Sequence, residues 1–250
     1  LGFDITRVQN NGVNEAEEKH PYVIPVQAIL EQNMPKITFI SIYEQDIETY
    51  KSILGGCANF SFVCGDVIEE ITTAKYDTIV SPANSFGFME SGIDAYYLRF
   101  FGNDLQIAVQ NVIKQKYHGE LPVGRGMLLK LKNYKQNPKY FMVAPTMRSQ
   151  NDVSGTINAY LAFKAILEVV EKSQLINSIL VPCLATGVGR MSAKKSAKQI
   201  KMAMDAYLGL TTPDQFGANL QQNNQPTIFD IHQSKVSTLI KKNTEFMLGD

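Results

Sequence analysis

Residues 76–94 have the sequence YDTIVSPANSFGFMESGID, and this stretch decides the fold class. Its first part, 76–83, is a largely apolar run, which is typical of a strand covered on both faces of a sheet. Asn84 follows the run, and a loop that contains two glycines leads to Asp94 at the start of a helical pattern. A buried strand, a polar loop and a helix in this order predict an α/β domain with a ligand site at the carboxyl end of the strand.

The flanking segments alternate between strand and helix patterns. Further strand candidates lie at 36–43, 59–65, 126–133, 139–145 and 178–184, and helix candidates lie at 46–56, 92–101, 103–117, 158–172 and 192–208. Gly102 separates two of the helices, and Ser192 is placed to cap the last one. The alternation predicts a layered α/β fold around a parallel or mixed sheet over 36–210. The segments 1–35, which is polar only at first, and 211–250 are expected to be extensions that pack on this domain.

The composition narrows the class of protein. Lys plus Arg and Asp plus Glu each number 24, so bulk charge does not favour nucleic-acid binding. The three cysteines form no CxxC pair, which favours a reduced, intracellular and cytoplasmic setting. No apolar run approaches the roughly 18 residues of a membrane-spanning helix, so no membrane partner is expected. The three histidines are scattered, and no metal site is predicted.

Two loops at strand ends carry the candidate binding residues. The second loop, ATGVGRMS at 185–192, follows the apolar strand SILVPCL. Gly187 and Gly189 would let a ligand approach the backbone closely, and the helix after the loop offers unpaired amides that suit a phosphate. The loop matches neither the P-loop nor the G-x-G-x-x-G pattern, so a tight strand-to-helix turn explains it equally well when it is considered alone.

Asn84 and Asp94 each have two interpretations. The amide of Asn84 both donates and accepts, which suits sugar hydroxyls, but an Asx turn that closes the strand uses the same side chain. Asp94 accepts hydrogen bonds from a hydroxyl or a water, but an acid in the first turn of a helix is also favoured by the helix dipole.

Five segments together resemble the macrodomain family, in the family's order. They are GDVIEE (65–70), VSPANSFGFMESGID (80–94), LPVGRG (121–126), VAPT (143–146) and PCLATGVGRMS (182–192). The resemblance covers about residues 60–210 and implies a three-layer α/β/α sandwich with a mixed central sheet. It implies ADP-ribose as the ligand, free or attached to a protein or nucleic acid, and no cofactor.

The resemblance also implies roles for individual residues. Asp66, followed by Val67, matches the acid that binds the adenine amino group, and helix capping by Asp66 is compatible with that role. Asn84 matches the asparagine that contacts the distal ribose, and Asp94 matches the acid that hydrolytic members place near the anomeric carbon. Residues expected to clasp the diphosphate and the distal ribose are Gly87, Ser91, Gly92, Ile93, Thr186, Gly187, Val188, Gly189, Arg190 and Met191.

The sequence departs from the family pattern in both loops. Many hydrolytic members have a run of glycines before the acid, whereas this chain has Met89 and Glu90, which are expected to stiffen the first loop. The second loop lacks the aromatic residue of many relatives, and either Phe86 or Phe88 would have to supply that wall unless both pack in the core. The acid of a lysine-using subclass is also missing, so a covalent lysine mechanism is not predicted.

Three functions are compatible with these features. The first is hydrolysis of ADP-ribose linked through its anomeric carbon to a carboxylate side chain, a 1″-phosphate or acetate, with Asn84 and Asp94 as catalytic residues. The second is a reader module that binds ADP-ribose or an ADP-ribosylated protein without turnover. The third is recognition of another nucleotide, an RNA end or a protein partner by the same loops.

Overall fold

The computed structural model describes residues 34–211 except 132, 133, 135 and 174. The predicted extensions, 1–35 and 211–250, lie outside the described residues apart from 34, 35 and 211. The predicted domain boundaries therefore stay predictions.

The described residues form a mixed sheet of six strands. The strands are β1 Lys36–Ser41, β2 Phe60–Cys64, β3 Thr78–Ser81, β4 Met127–Lys130, β5 Tyr140–Val143 and β6 Ser178–Pro182. Their order in the sheet is β2-β1-β6-β3-β5-β4. Every pair is parallel except β4 with β5, which is antiparallel. The prediction of a mixed sheet is confirmed.

Helices cover both faces of the sheet. They are α1 Glu44–Leu54, α2 Val67–Thr72, α3 Gly92–Phe101, α4 Asn103–Lys116, α5 Asn158–Ser173 and α6 Ala193–Tyr207. Ile79 and Leu180 pack in a core with residues of α2, α3 and α4, whereas their neighbours Val80 and Val181 pack with α1, α5 and α6. Successive residues of a strand point to opposite faces, so the central strands bury side chains on both sides. The predicted three-layer α/β/α sandwich is confirmed.

Local signals set several helix ends. Gly102 has a φ of 87°, a left-handed conformation that suits glycine, and it separates α3 from α4 as predicted. Ser192 caps α6, because its Oγ accepts from the amide of Lys195 at 3.3 Å. The short helix α2 was not among the predicted elements, since six residues are fewer than two helical turns and show little periodicity.

The parallel pairing brings the carboxyl ends of β1, β2, β3, β5 and β6 to one edge of the sheet. The loops that follow these strands therefore meet at that edge, which is where open α/β sheets bind ligands. None of the helices in the described part of the chain is both long and apolar enough to span a bilayer.

Candidate functional site

A cavity of about 300 Å³ lies among the loops at the carboxyl ends of the parallel strands. Its wall contains parts of the loops after β1, β2, β3, β5 and β6. Eleven of the predicted site residues line it: Asp66, Val67, Asn84, Ser91, Gly92, Ile93, Asp94, Thr186, Gly187, Val188 and Gly189. The fold thus brings residues more than 120 positions apart into one wall.

Three predicted ligand contacts, Gly87, Arg190 and Met191, do not line this cavity. Met191 is 2% exposed because its side chain packs in the core. Gly87 faces α4, where an added Cβ would lie 2.7 Å from Val109. Arg190 and Met191 close the second loop through bonds from their amides to the carbonyl oxygens of Gly187 (2.9 Å) and Ala185 (3.0 Å). These three residues support the loops and form no part of the cavity wall.

The second loop presents a row of unpaired backbone donors. The amides of Thr186, Gly187, Val188 and Gly189 find no acceptor within the described part of the protein, and all four residues line the cavity. Gly187 and Val188 are exposed and Gly189 is buried, so the amides lie at the mouth of the cavity, where several unpaired donors suit a ligand with several acceptor oxygens.

A buried network fixes the point where the second loop leaves the sheet. The amide of Leu184 donates to the Tyr50 hydroxyl at 3.1 Å, and the Ser196 hydroxyl donates to the Leu184 carbonyl at 2.6 Å. Tyr50 and Ser196 are also in contact through their hydroxyls at 2.6 Å, and both are fully buried. Side chains of α1 and α6 therefore position the row of free amides.

The Asn84 side chain closes the first loop by bonding to the loop's own backbone, as the Asx-turn interpretation predicted. Its Oδ1 accepts from the amides of Phe86 (3.1 Å) and Phe88 (3.2 Å), and its Nδ2 donates to the Phe88 carbonyl at 2.7 Å. One hydrogen of Nδ2 is left for a ligand. Asn84 thus shapes the loop while it also lines the cavity.

Met89 anchors the same loop to the core. Its side chain is 1% exposed, and its amide donates to Oε1 of Gln106 at 2.8 Å. The next three amides, those of Glu90, Ser91 and Gly92, have no acceptor among the residues that the structure describes. Met89 therefore pins one end of the loop, and two of the three residues with free amides, Ser91 and Gly92, line the cavity.

Asp94 is a buried acid at the cavity wall. It is 6% exposed, and Oγ of Ser81 donates to its Oδ1 at 2.6 Å. Burial raises the pKa of Asp94 to about 7, against the opposing effect of the Ser81 hydrogen bond. Its Oδ2 has no partner in the described structure. A carboxyl group with a pKa near neutrality exchanges protons readily at physiological pH.

Asp66 follows β2 and lines the cavity with a free carboxylate oxygen. Its Oδ1 accepts from the amides of Ile68 (2.7 Å) and Glu69 (3.2 Å), so it caps α2. Its Oδ2 makes no hydrogen bond within the described residues. Helix capping therefore leaves half of the carboxylate for a ligand, as the resemblance requires.

Sequence reasoning missed Tyr43, Tyr96 and Gln150, which line the cavity. Tyr43 follows β1, and the register that pairs Ser41 with Cys64 places it beside the loop of Asp66. No local sequence pattern predicts that Tyr43 lies beside Asp66, because this contact depends on the pairing of β1 with β2. Five large apolar side chains with at least 40% exposure also line the cavity: Ile42, Tyr43, Phe88, Tyr96 and Val188.

The two aromatic candidates of the first loop have different positions. Phe88 lines the cavity and is 51% exposed. Phe86 does not line it, and the guanidinium of Arg148 lies 5.2 Å from the centre of its ring. Phe88 is therefore the aromatic wall that the first loop supplies. Among the described residues, no group of three His, Cys, Asp or Glu side chains could hold a metal ion.

Residues 80–200 match the family model of the Macro domain. The matched segment belongs to the macrodomain family. It contains both loops, and the resemblance found in the sequence is confirmed. Tyr43 and Asp66 follow β1 and β2, which precede the matched segment and belong to the same six-stranded sheet.

Two relatives are similar in sequence to about half of this chain. An uncharacterized protein of Aeropyrum pernix is 25% identical over 140 residues, which cover 56% of this chain and 69% of the relative. An uncharacterized protein of Aquifex aeolicus is 28% identical over 128 residues, which cover 51% of this chain and 72% of the relative.

Solved structures with partial similarity include the macrodomain of Mycobacterium tuberculosis DarG, with 20% identity, a TM-score of 0.48 and coverage of 57% of this chain and 88% of that one. A mutant of the Oceanobacillus iheyensis macrodomain with ADPR has 17% identity, a TM-score of 0.46 and coverage of 67% and 88%. Thermosipho africanus DarTG in complex with ADP-ribose has 18% identity, a TM-score of 0.44 and coverage of 70% and 50%.

Proposed function

We propose that the cavity binds ADP-ribose and that the protein hydrolyses ADP-ribose linked through its anomeric carbon. The observation that carries the binding proposal is the pair of free donor sets, Thr186–Gly189 on one loop and Glu90–Gly92 on the other. A diphosphate supplies acceptor oxygens for both sets, and main-chain amides bind phosphate without a basic side chain. The family match of 80–200 covers both loops and supports the same ligand.

The adenine is proposed to lie at the end formed by Asp66 and Tyr43. The free Oδ2 of Asp66 accepts from an exocyclic amino group, and the exposed ring of Tyr43 offers a face for stacking. The distal ribose is then proposed to lie beside Asn84 and Asp94, which follow β3, because β1 and β6 separate β3 from β2, the strand that precedes Asp66.

Replacing Tyr43 by Ala is expected to weaken ADP-ribose binding about tenfold, because one stacking contact with a base is lost. The side chain is 65% exposed, so the fold should be retained. Calorimetry measures the change, with Ile107→Ala as the control, since Ile107 is 55% exposed and lies outside the cavity. Equal affinity in Tyr43→Ala and wild type would exclude this position for the adenine.

Asp94 is proposed to act as the general base. Its free Oδ2 takes a proton from a water molecule whose oxygen forms the new bond to the anomeric carbon. The bond between the anomeric carbon and the leaving-group oxygen breaks, and its electron pair stays with the departing carboxylate or phosphate. The ribose passes through an oxocarbenium-like state. Asn84 positions the sugar with its remaining Nδ2 hydrogen.

A reader module without turnover is the second candidate. It is favoured by the three hydrogen bonds between the Asn84 side chain and the backbone of its own loop, two accepted and one donated, and by the burial of Met89 where many hydrolytic members have glycine. Both features fix the loop and limit its adjustment to a transition state. The same cavity would then hold the terminal ADP-ribose of a modified protein.

Melting curves with ADP-ribose, AMP and NAD test the binding proposal. A ligand at about 100 times its Kd should stabilise the fold by roughly 2.7 kcal/mol. Flat curves for all three nucleotides would refute it and favour another partner. Single-turnover removal of ADP-ribose from a carboxylate-linked protein tests hydrolysis, and binding without release would establish the reader.

A further inference from the structure

One segment touches both phosphate-binding loops. The connecting segment is residues 147–154, which follow β5. On one side, the amide of Ser85 lies 3.1 Å from the carbonyl oxygens of both Met147 and Arg148. On the other side, the amide of Val153 donates to the carbonyl of Gly189 at 2.9 Å. The connecting segment therefore links the first loop to the second.

Gln150 makes the side-chain link in the middle of the connecting segment. Its Nε2 donates to Oγ of Ser91 at 2.6 Å, and Gln150 and Ser91 both line the cavity. Ser91 lies within the free donor set Glu90–Gly92. The bridge between Asn84 and Met147 places Gln150, three residues later, near the distal-ribose end.

The Ser91 hydroxyl has no other hydrogen-bond partner within residues that the structure describes. It precedes α3, yet its hydroxyl makes no bond to the amides of that helix. Asp66 and Ser192, which precede α2 and α6 at the same edge of the sheet, both bond to the amides of their own helices. Gly92 follows with a φ of 57°, a left-handed conformation that favours glycine. The bond from Gln150 is thus what holds the Ser91 side chain.

We propose that Gln150 is a positioning residue that holds the Glu90–Gly92 amides at a fixed distance from the Thr186–Gly189 amides. The inference rests on the ADP-ribose-binding function proposed above. A diphosphate contacts both donor sets at once, so its affinity depends on their separation. Adenosine has no phosphate and lacks that dependence. Preorganisation of this kind lowers the ordering cost that binding would otherwise carry.

The test uses Gln150→Met, which keeps the length of the side chain and removes its hydrogen bond. We expect ADP-ribose to bind about three- to tenfold more weakly, the range that one hydrogen bond supports. Adenosine affinity should stay the same, because adenosine has no phosphate. The melting temperature should also stay the same, because Gln150 is exposed. Ser149→Ala, an exposed neighbour outside the cavity, is the matched control and should bind like wild type.

A double-mutant cycle separates this role from a general loss of structure. Ser91→Ala removes the same bond from the other side, so the double variant Ser91→Ala with Gln150→Met should bind no more weakly than either single variant. Additive losses would overturn the inference, as would an equal loss of adenosine affinity.

Hydrogen exchange of ligand-free protein gives a readout that needs no nucleotide. In peptides covering 88–93, the hydrogen-bonded amides of Phe88 and Met89 should exchange faster in Gln150→Met than in wild type or Ser149→Ala, because the loop loses the bond that holds Ser91. Unchanged exchange would refute the positioning role even if ADP-ribose binds. If wild type does not bind ADP-ribose, the proposed function fails, and the exchange result still decides whether Gln150 orders the loop.

Discussion

Replacing Asp94 by Asn is expected to raise the free energy of unfolding by about 2–4 kcal/mol at pH 8 and to have little effect near pH 4. The pKa of Asp94 is about 7 in the folded protein, above its usual value of 3.8. Between these values the folded protein keeps a proton that the unfolded chain has lost. Wild-type stability therefore falls as pH rises through this window, and Asn removes that loss.

Urea unfolding of wild type and Asp94→Asn from pH 4 to pH 8 measures this effect. The control is Asp104→Asn, an exposed acid in the first turn of α4, which should change stability by less than about 1 kcal/mol. If the free energies of unfolding of wild type and Asp94→Asn change with pH in parallel, ionisation of the buried Asp94 does not destabilise the fold.

The same substitution should lower hydrolysis by about 10²- to 10⁴-fold while ADP-ribose still binds. Asn is close to Asp in shape but takes no proton from water, so only the chemical step is affected. The wild-type rate should rise with pH through about 7, as Asp94 loses its proton. If the variant hydrolyses ADP-ribose at the wild-type rate, Asp94 is not the general base. If the wild-type protein binds ADP-ribose but does not hydrolyse it, the protein is a reader module.

Replacing Gly189 by Ala is expected to weaken ADP-ribose binding about 100-fold and to destabilise the fold by about 1–3 kcal/mol. A Cβ at this position would lie 2.7 Å from the Ala185 carbonyl oxygen and 2.7 Å from Cγ2 of Val153, closer than the 3.0 Å that real Cβ atoms keep. The same carbonyl accepts from the amide of Met191, which closes the loop. The loop must therefore open, and its free amides move away from the diphosphate.

Calorimetry and urea unfolding measure these two effects. Gly155→Ala is the matched control, because a Cβ there has nothing within 4 Å. It should leave affinity and stability close to those of wild type. If Gly189→Ala binds ADP-ribose as tightly as wild type, the second loop is not the phosphate clasp.

Much of the macrodomain fold was predictable because its signals are local. The run 76–83 marked the central strand, Gly102 marked the break between two helices, and Ser192 marked the start of the last one. The second loop could also be predicted, because Gly187 and Gly189 lie between a strand pattern and a helix pattern. Hydrophobic periodicity and the positions of glycine and capping residues can be read from the sequence without knowledge of tertiary contacts.

The properties that give the site its chemistry were decided by contacts between distant segments. Tyr43 lies beside Asp66 because β1 pairs with β2, and Gln150 reaches Ser91 because β5 pairs with β3. Asp94 reaches a pKa near 7 because packing removes it from water. The sequence by itself determined the strands, helices and loops through local periodicity, whereas the tertiary structure decided burial and side-chain partners, since these depend on which strands become neighbours.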